Sequence, residues 1–283
     1  MTIRIFTTVF GLFLFGLVVN AQGGNPLTTI VIDPGHGGKD LGASRDGVNE
    51  KDITLSIAKL LKAKLEARKP EINVTLTRED DVLIPLHQRA EKANEANADL
   101  FISLHVNASD SEQANGIETY VLGLHKSEET LDAVKKENTV IMMEDAYVSE
   151  YDGFDPSSSE SYIVFELLKD EHIEQSIEFA SCVQKRLPEL ARMENRGVKQ
   201  GGFLLLKNMT MPSVLVEMGF VSNKDNCKKM IDKVGQHKIS EAIYESLFDY
   251  ANSVNYEPKI EKLNIPDKPI ENQYMKAIEE NSK

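Results

Sequence analysis

The segment from Thr29 to Gly42 constrains the fold more than any other: an apolar run, Ile30-Val31-Ile32, breaks at Asp33-Pro34 into a cluster of glycines around His36. An unbroken run of β-branched residues reads as a buried strand. Gly35, Gly37, Gly38 and Gly42 permit positive φ and close backbone approach, so the imidazole falls in a tight loop at a strand's carboxyl end. Two phosphate-binding readings fail on spacing. Counting from Gly35, a dinucleotide fingerprint would need glycine where Asp40 stands, and a P-loop would need Ser or Thr there.

Similar runs recur, with helical patterns between them. Asn49-Glu50-Lys51-Asp52 precedes a stretch in which Ile53, Ile57, Leu60, Leu61 and Leu65 keep helical spacing, so Glu50 lies near a helix start. Ile72 to Thr77 reads as a strand, Arg78 to Asp81 as a polar turn, and about Pro85 to Ala98 as a helix. Asp99 to Asn107 is a third apolar strand, ending in His105 and Asn107. Gly116 to Gly123, Phe203 to Leu206 and Pro212 to Phe220 read as further strands, and Ile177 to Leu187 as a helix. This alternation predicts an α/β fold: a central, mostly parallel sheet flanked by helices on both faces, with a helical insertion near the active site. Strand carboxyl ends then share one edge, where ligand sites gather.

At that edge His36 and His105 would face one another with Glu50 beside them. Two imidazoles and a carboxylate, with a fourth position left for water, describe a catalytic zinc site. Plainer readings stay open: His36 as a packed turn residue, and Glu50 as a partner of the helix dipole. Glu217 interrupts an apolar strand, where an unpaired carboxylate is costly. Acid–base work on a metal-activated water accounts for it better than an outward position, because Val216 and Met218 are both apolar. His87, His125, His172 and His237 have no motif partner and read as surface or structural residues. The chain has no His-Glu-x-x-His, which excludes a metalloprotease of that type, and no Gly-x-Ser-x-Gly.

Residues 1–21 carry Arg4, a mostly apolar stretch from Ile5 to Val19, and small residues before Gln22, the pattern of a secretory signal. A short linker at 22–27 would follow. No later stretch is apolar enough to span a bilayer, so an exported protein, not integral to the membrane after cleavage, is expected. With 32 basic and 45 acidic residues the net charge is −13, which repels phosphate backbones and argues against nucleic-acid partners. Cys182 and Cys227 are too few for a disulfide framework; Cys182, set in a helical apolar pattern, reads as a buried thiol, though an exported protein could pair them.

The ordered set VIDPGHGGKDLGA, NEKDITLSIAKLLKAKL, VTLTREDD, ADLFISLHVNAS, GIETYVL and MPSVLVEMGFVSN, spread from about Thr28 to Tyr250, resembles the zinc-dependent N-acetylmuramoyl-L-alanine amidases of the AmiC-like (Amidase_3) branch. The resemblance implies a catalytic domain at 28–252 that cleaves the amide between N-acetylmuramic acid and L-alanine in peptidoglycan, for wall remodelling or daughter-cell separation. It implies one Zn2+ ion on His36, Glu50 and His105, and Glu217 as the catalytic glutamate. Arg78 and Asn107 match the family pattern as site support or substrate contact, and Asp33 is the candidate partner that orients a metal-bound histidine. The periplasm is the expected compartment.

Between about 126 and 176 the chain carries an insert in which Leu131, Val134, Val140, Ile141, Met142 and Met143 recur on something like a helical face, followed by a loop, YDGFDPSSSES, and a second apolar helix, YIVFELLKDEH. AmiC-like enzymes of diderm bacteria resemble it in having a helical insert that covers the zinc and is displaced by an activator. Autoinhibition by an insert glutamate is therefore expected, with Glu137 first and Glu144 and Glu166 behind it; a packed helical hairpin without a regulatory role is the alternative. Residues 253–283, rich in Lys, Glu, Pro and Asn, read as a flexible tail. Two rival functions stand beside the amidase: an exported zinc peptidase acting on stem peptides, and a non-catalytic wall-binding activator.

Overall fold

The computed structural model describes residues 27–145, 147–167 and 170–253. The expected leader, nearly all of the linker and the tail from residue 254 lie outside the described residues. The frame is a six-stranded sheet in the spatial order β4 (Asn73–Leu76), β1 (Thr29–Pro34), β5 (Leu100–Asn107), β8 (Ser213–Phe220), β6 (Ile117–Leu122) and β7 (Asn195–Gly201). The first four run parallel; β6 is antiparallel to β8 and parallel to β7. The beginnings of β6 and β7 consequently lie at the same edge as the carboxyl ends of β1, β5 and β8. A two-stranded hairpin, β2 (Ser44–Arg45) and β3 (Val48–Asn49), leads into α1 (Glu50–Arg68).

Side-chain alternation separates two buried faces. Ile30, Ile32, Leu100, Ile102, Val214 and Val216 pack against α1, α6 (Ile173–Ala191) and α9 (Lys233–Ser253). Ile53, Ile57, Leu61 and Leu65 of α1 are buried there, each side chain contributing about 1.5–3 kcal/mol. Val31, Phe101, Leu215 and Tyr120 face the other way, against α2 (Leu86–Glu95), the insert, and a single-turn helix α7 (Leu204–Lys207). The insert holds α3 (Glu128–Asn138), capped by the Ser127 side chain, and two single turns, α4 (Tyr147–Glu150) and α5 (Val164–Leu167). Helix α8 (Lys224–Ile231) joins β8 to α9.

Two elements depart from the sequence reading. Phe203 to Leu206, expected as a strand, belongs to the α7 turn, while the strand in this region is β7. Its sequence, NRGVKQG, lacks apolar alternation because main-chain pairing to β6 at the sheet's edge holds it. Among the described residues, the second apolar helix expected in the insert is a 3-10 turn followed by the single turn α5. Phe154, Tyr162 and Phe165 pack there ring on ring, with centroids 5.2–6.2 Å apart, so aromatic contacts rather than helical hydrogen bonds order the segment. Cys182 and Cys227 are both free thiols.

The end of β1 is fastened by a buried ion pair. Asp33, wholly inaccessible, accepts hydrogen bonds from the Thr77 and Ser103 hydroxyls at 2.5 and 2.7 Å and from Arg89 Nη1 at 3.0 Å. Burial opposes its charge, but Arg89 and the two hydroxyls prevail and its pKa lies below the ordinary value. Arg89 also donates to the carbonyls of Pro34, His36 and Ile84, so one guanidinium ties α2 to the glycine loop. Replacing Arg89 with alanine would leave the Asp33 carboxylate buried and unpaired. Arg89→Ala is expected to cost about 3–5 kcal/mol, read as a lowered midpoint of urea unfolding; a loss within experimental error would show that the pair does not hold the loop.

Candidate metal centre

Three chain segments bring donor atoms together at the carboxyl edge. His36 stands in the glycine loop at φ +60°, a backbone state rare for a residue with a Cβ, followed by Gly37 at +131° and Gly38 at +58°. Glu50 is the first residue of α1, and His105 lies near the end of β5. All three are buried, and Glu137, from α3, completes a set whose ligand atoms lie within 4.8 Å of one another. His36 Nε2 is 3.1 Å from Glu50 Oε1 and 3.3 Å from Glu137 Oε2, and His105 Nδ1 is 3.0 Å from each of the same oxygens. Yet neither nitrogen makes a hydrogen bond, although both are buried. Such nearness without donor–acceptor alignment is how ligands surround a cation. Tetrahedral nitrogen and oxygen ligands at zinc distances are separated by roughly 3.3 Å, which the spacing matches.

The backbone holds these donors in place. Glu50 Oε1 accepts from the Val106 N–H and Oε2 from the Ala43 N–H, both at 2.7 Å, so the carboxylate is fixed to β5 on one side and to the glycine loop on the other. Gly35 is required because a Cβ there would fall 2.5 Å from His105 Cε1, and Gly42, at φ +65°, because one would fall 2.5 Å from Glu50 Oε2. His36 Nδ1 is 2.7 Å from Asp40 Oδ2, while Asp40 Oδ1 accepts from the Gly42 N–H at 3.1 Å. Asp40 thus takes the orienting role that the sequence reading gave to Asp33, which is bonded to Thr77, Ser103 and Arg89 and to no histidine. Its position four residues after His36, inside the same loop, is the sequence signal for that role.

Glu217 sits beside this set. It pairs in register with His105 of β5 and with Glu118 of β6, and it is 2 % exposed with Oε2 unpartnered. Val216 and Met218 point to the opposite face and enter its core, which is why a carboxylate interrupts an apolar run. A register shift follows His105, a bulge of the kind that re-aims side chains beside functional sites. Burial, then the charges of Glu137 and Glu50, raises the Glu217 pKa well above the ordinary carboxylate range. The same burial opposes protonation of the imidazoles, but the carboxylates win: Glu50 and Glu137 raise His36 well above its usual value, and Glu137 with Glu50 lifts His105 to about 10.

The other sequence candidates fall around this centre. Arg78 donates to the carbonyls of Pro34, Gly35 and Lys51 and so shapes the glycine loop from behind. Asn107 lines a cleft of about 350 Å³ bounded also by His36, Ala43, Glu137, Thr139 and Met143. Glu144 lies elsewhere: it accepts from the Leu86 N–H at 2.8 Å and from the Tyr151 hydroxyl at 2.6 Å, anchoring the insert to the start of α2. His87 is part of that anchor, with Nδ1 3.3 Å from the Tyr151 hydroxyl. The side chain of Glu166 lies outside the description.

Comparison with known proteins gives this geometry a context. Residues 30–249 match the family described as Amidase_3, N-acetylmuramoyl-L-alanine amidase. The chain is 32% identical over 225 residues to N-acetylmuramoyl-L-alanine amidase AmiC of Escherichia coli O6:H1, covering 78% of this chain and 52% of that one. It is 31% identical over 222 residues to AmiA of Escherichia coli K12, covering 78% and 75%. The chain therefore spans about half the length of the AmiC relative. Among solved structures, the CwlD amidase of Clostridioides difficile in complex with the GerS lipoprotein superposes with a TM-score of 0.60 at 28% identity, covering 80% of this chain and 99% of that one.

Asp40 is hydrogen-bonded to His36 of the cluster, so its loss tests whether the four residues form a metal site. Asp40→Ala is expected to bind zinc about 10–100-fold more weakly with an unchanged circular dichroism spectrum, as competition with a chromophoric chelator would show. Unaltered affinity would mean that His36 needs no orienting partner.

Proposed function

The chain belongs to the Amidase_3 family of N-acetylmuramoyl-L-alanine amidases, and from that premise we propose that it hydrolyses the amide between the lactyl group of N-acetylmuramic acid and L-alanine in peptidoglycan, using one zinc ion. The observation that carries the reading is the convergence of two unpartnered imidazole nitrogens and a wholly buried carboxylate beside Glu217. His36, Glu50 and His105 would hold the ion. When bound, zinc polarises the scissile carbonyl and acidifies a water molecule.

The chain's own residues account for the remaining chemistry. Glu217, on the same face as His105, takes a proton from the attacking water and returns it to the departing amine of L-alanine. Asp40 and the two N–H groups on Glu50 keep the ligand set from rotating. Glu137 occupies the position a substrate or water oxygen would need, so the enzyme is autoinhibited until α3 moves. Peptidoglycan is the substrate partner, and an activator protein displaces the insert. That CwlD was solved with a lipoprotein supports such complexes within the fold. Among the described residues no helix is long and apolar enough to cross a membrane. Export to the periplasm, directed by residues 1–21, is part of the proposal.

Two substitutions test the assignment. Glu217→Ala is expected to keep its zinc, measured by atomic emission, and to lose about 10²–10⁴-fold in release of free stem peptides from purified sacculi, measured by mass spectrometry. Shortened stems still joined to glycan would instead identify a peptidase. Glu137→Ala is expected to raise the basal rate at least about tenfold, the equivalent of 1.4 kcal/mol of inhibitory contact. An equal or lower rate in the folded variant would remove the autoinhibition.

A further inference from the structure

Because β6 and β7 run against β8, their first residues deliver a charged group to the catalytic edge that the hydrolytic chemistry does not use. Glu118, paired in register with Glu217, is 1 % exposed. Its Oε1 accepts from Arg196 Nε at 2.5 Å and from Lys199 Nζ at 2.6 Å, and its Oε2 from the Tyr120 hydroxyl at 2.5 Å. One buried carboxylate thus faces two cations. The balance is restored from the insert, where Glu129 of α3 accepts from Arg196 Nη2. Glu129 is largely exposed, its side chain 64% accessible against 20% for Arg196, so the outer edge of the guanidinium is what α3 covers.

We infer that Arg196 and Lys199, held beside Glu217 by Glu118, form a subsite for a free carboxylate on the peptide part of the substrate, and that Glu129 fills it while α3 is seated. The inference rests on the amidase reading and names the chemistry of its peptide. Glu118 engages Arg196 through Nε and leaves Nη2 directed outward, the edge with which a guanidinium binds carboxylates. That edge already holds a carboxylate, so the fit is present in the molecule. When α3 leaves, Arg196 and Lys199 keep Glu118 as their shared partner, Glu194 adds only its charge to Arg196, and Nη2 is free to take another carboxylate.

The helix also sets the scale. Glu129 and Glu137 lie on one helix, eight residues apart, which places their Cα atoms about 12 Å apart along its axis. An extended peptide covers that span in roughly three to four residues. The recognised carboxylate should therefore lie a few residues beyond the cleaved amide, within an acidic stem peptide. On this account α3 imitates the substrate at two points, with Glu137 at the metal position and Glu129 at the carboxylate position.

The test uses the full chain carrying Glu137→Ala as parent, with muramyl tri- and tetrapeptides that differ only in having each carboxylate free or amidated. For one position along the stem, kcat/KM is expected to favour the free carboxylate at least about tenfold, the scale of one charge-assisted hydrogen bond, and Arg196→Gln is expected to abolish that preference. Added to the same parent, Glu129→Gln is expected to lower KM several-fold more for the free carboxylate than for its amide, a readout that does not depend on Arg196→Gln folding. Equal kcat/KM for all free and amidated pairs would overturn the subsite. So would a preference that survives Arg196→Gln, or a Glu129→Gln effect identical on both peptides. Failure of the parent to cleave any muramyl peptide would overturn the amidase reading and the subsite with it.

Discussion

The carboxyl edge of the sheet depends on the carboxylate of Glu50 being held where water cannot reach it. A wholly buried carboxylate is costly unless its lone pairs are satisfied, and here two backbone N–H groups, from Ala43 and Val106, take one oxygen each. Those two donors belong to the glycine loop and to β5, so satisfying Glu50 brings the segments that bear His36 and His105 into range. The helix start, the loop and the strand end are thereby positioned by one group. Asp33 does the same one layer deeper, joining β1 to the residue after β4, to β5 and to α2 through Thr77, Ser103 and Arg89. Buried carboxylates, each fully paired, set the geometry, and the apolar faces of the sheet supply the rigidity on which it rests.

Sheet topology then decides which residues can join them. In a uniformly parallel sheet the starts of β6 and β7 would lie at the far edge, and Glu118 and Arg196 could not approach Glu217. Reversal of β6 against β8 puts Glu118 in the same row as His105 and Glu217, and β7, parallel to β6, brings Arg196 onto the Glu118 carboxylate. That row crosses the insert face of the sheet, whereas its flanking apolar residues turn to the opposite core. One sheet therefore serves as hydrophobic wall and polar surface on alternate residues, with no change of secondary structure between the two roles.

How much of this was legible depended on how local its cause is. The glycine loop, the strand ends at His105 and Glu217 and the start of α1 carry their own signals, since positive φ, β-branched runs and helical spacing are local. Asp40 was missed because its role appears only once the loop folds His36 back onto it. Strand β7 was missed because Asn195–Gly201 is held by edge pairing to β6, which no property of NRGVKQG announces. The second insert segment has the composition of a helix, yet packing among Phe154, Tyr162 and Phe165 overrides that tendency. Glu118 lies inside the GIETY stretch, but its meaning depends on the antiparallel partner and could not be read from strand order along the chain.

The insert's own fastenings bear on the proposed displacement of α3. It is tied to the rest of the molecule by discrete polar contacts: Glu144 and Tyr151 at the start of α2, Lys136 on the Ala108 carbonyl, Asn138 on Gly202 and Leu204, and Glu129 on Arg196. Beneath them Leu131, Val134 and Ile141 contribute apolar burial to the second core. Met142, Met143, Val148 and Ile163, by contrast, remain exposed, so a good part of the insert's apolar surface is not spent on holding it down. Displacing α3 requires breaking contacts that lie almost entirely on one face of the sheet, while α1, α6 and α9 on the opposite face keep the ligand-bearing strands packed. The proposed uncovering of His36, Glu50 and His105 would therefore leave them in place, because the groups that position them and the groups that cover them are anchored in different layers.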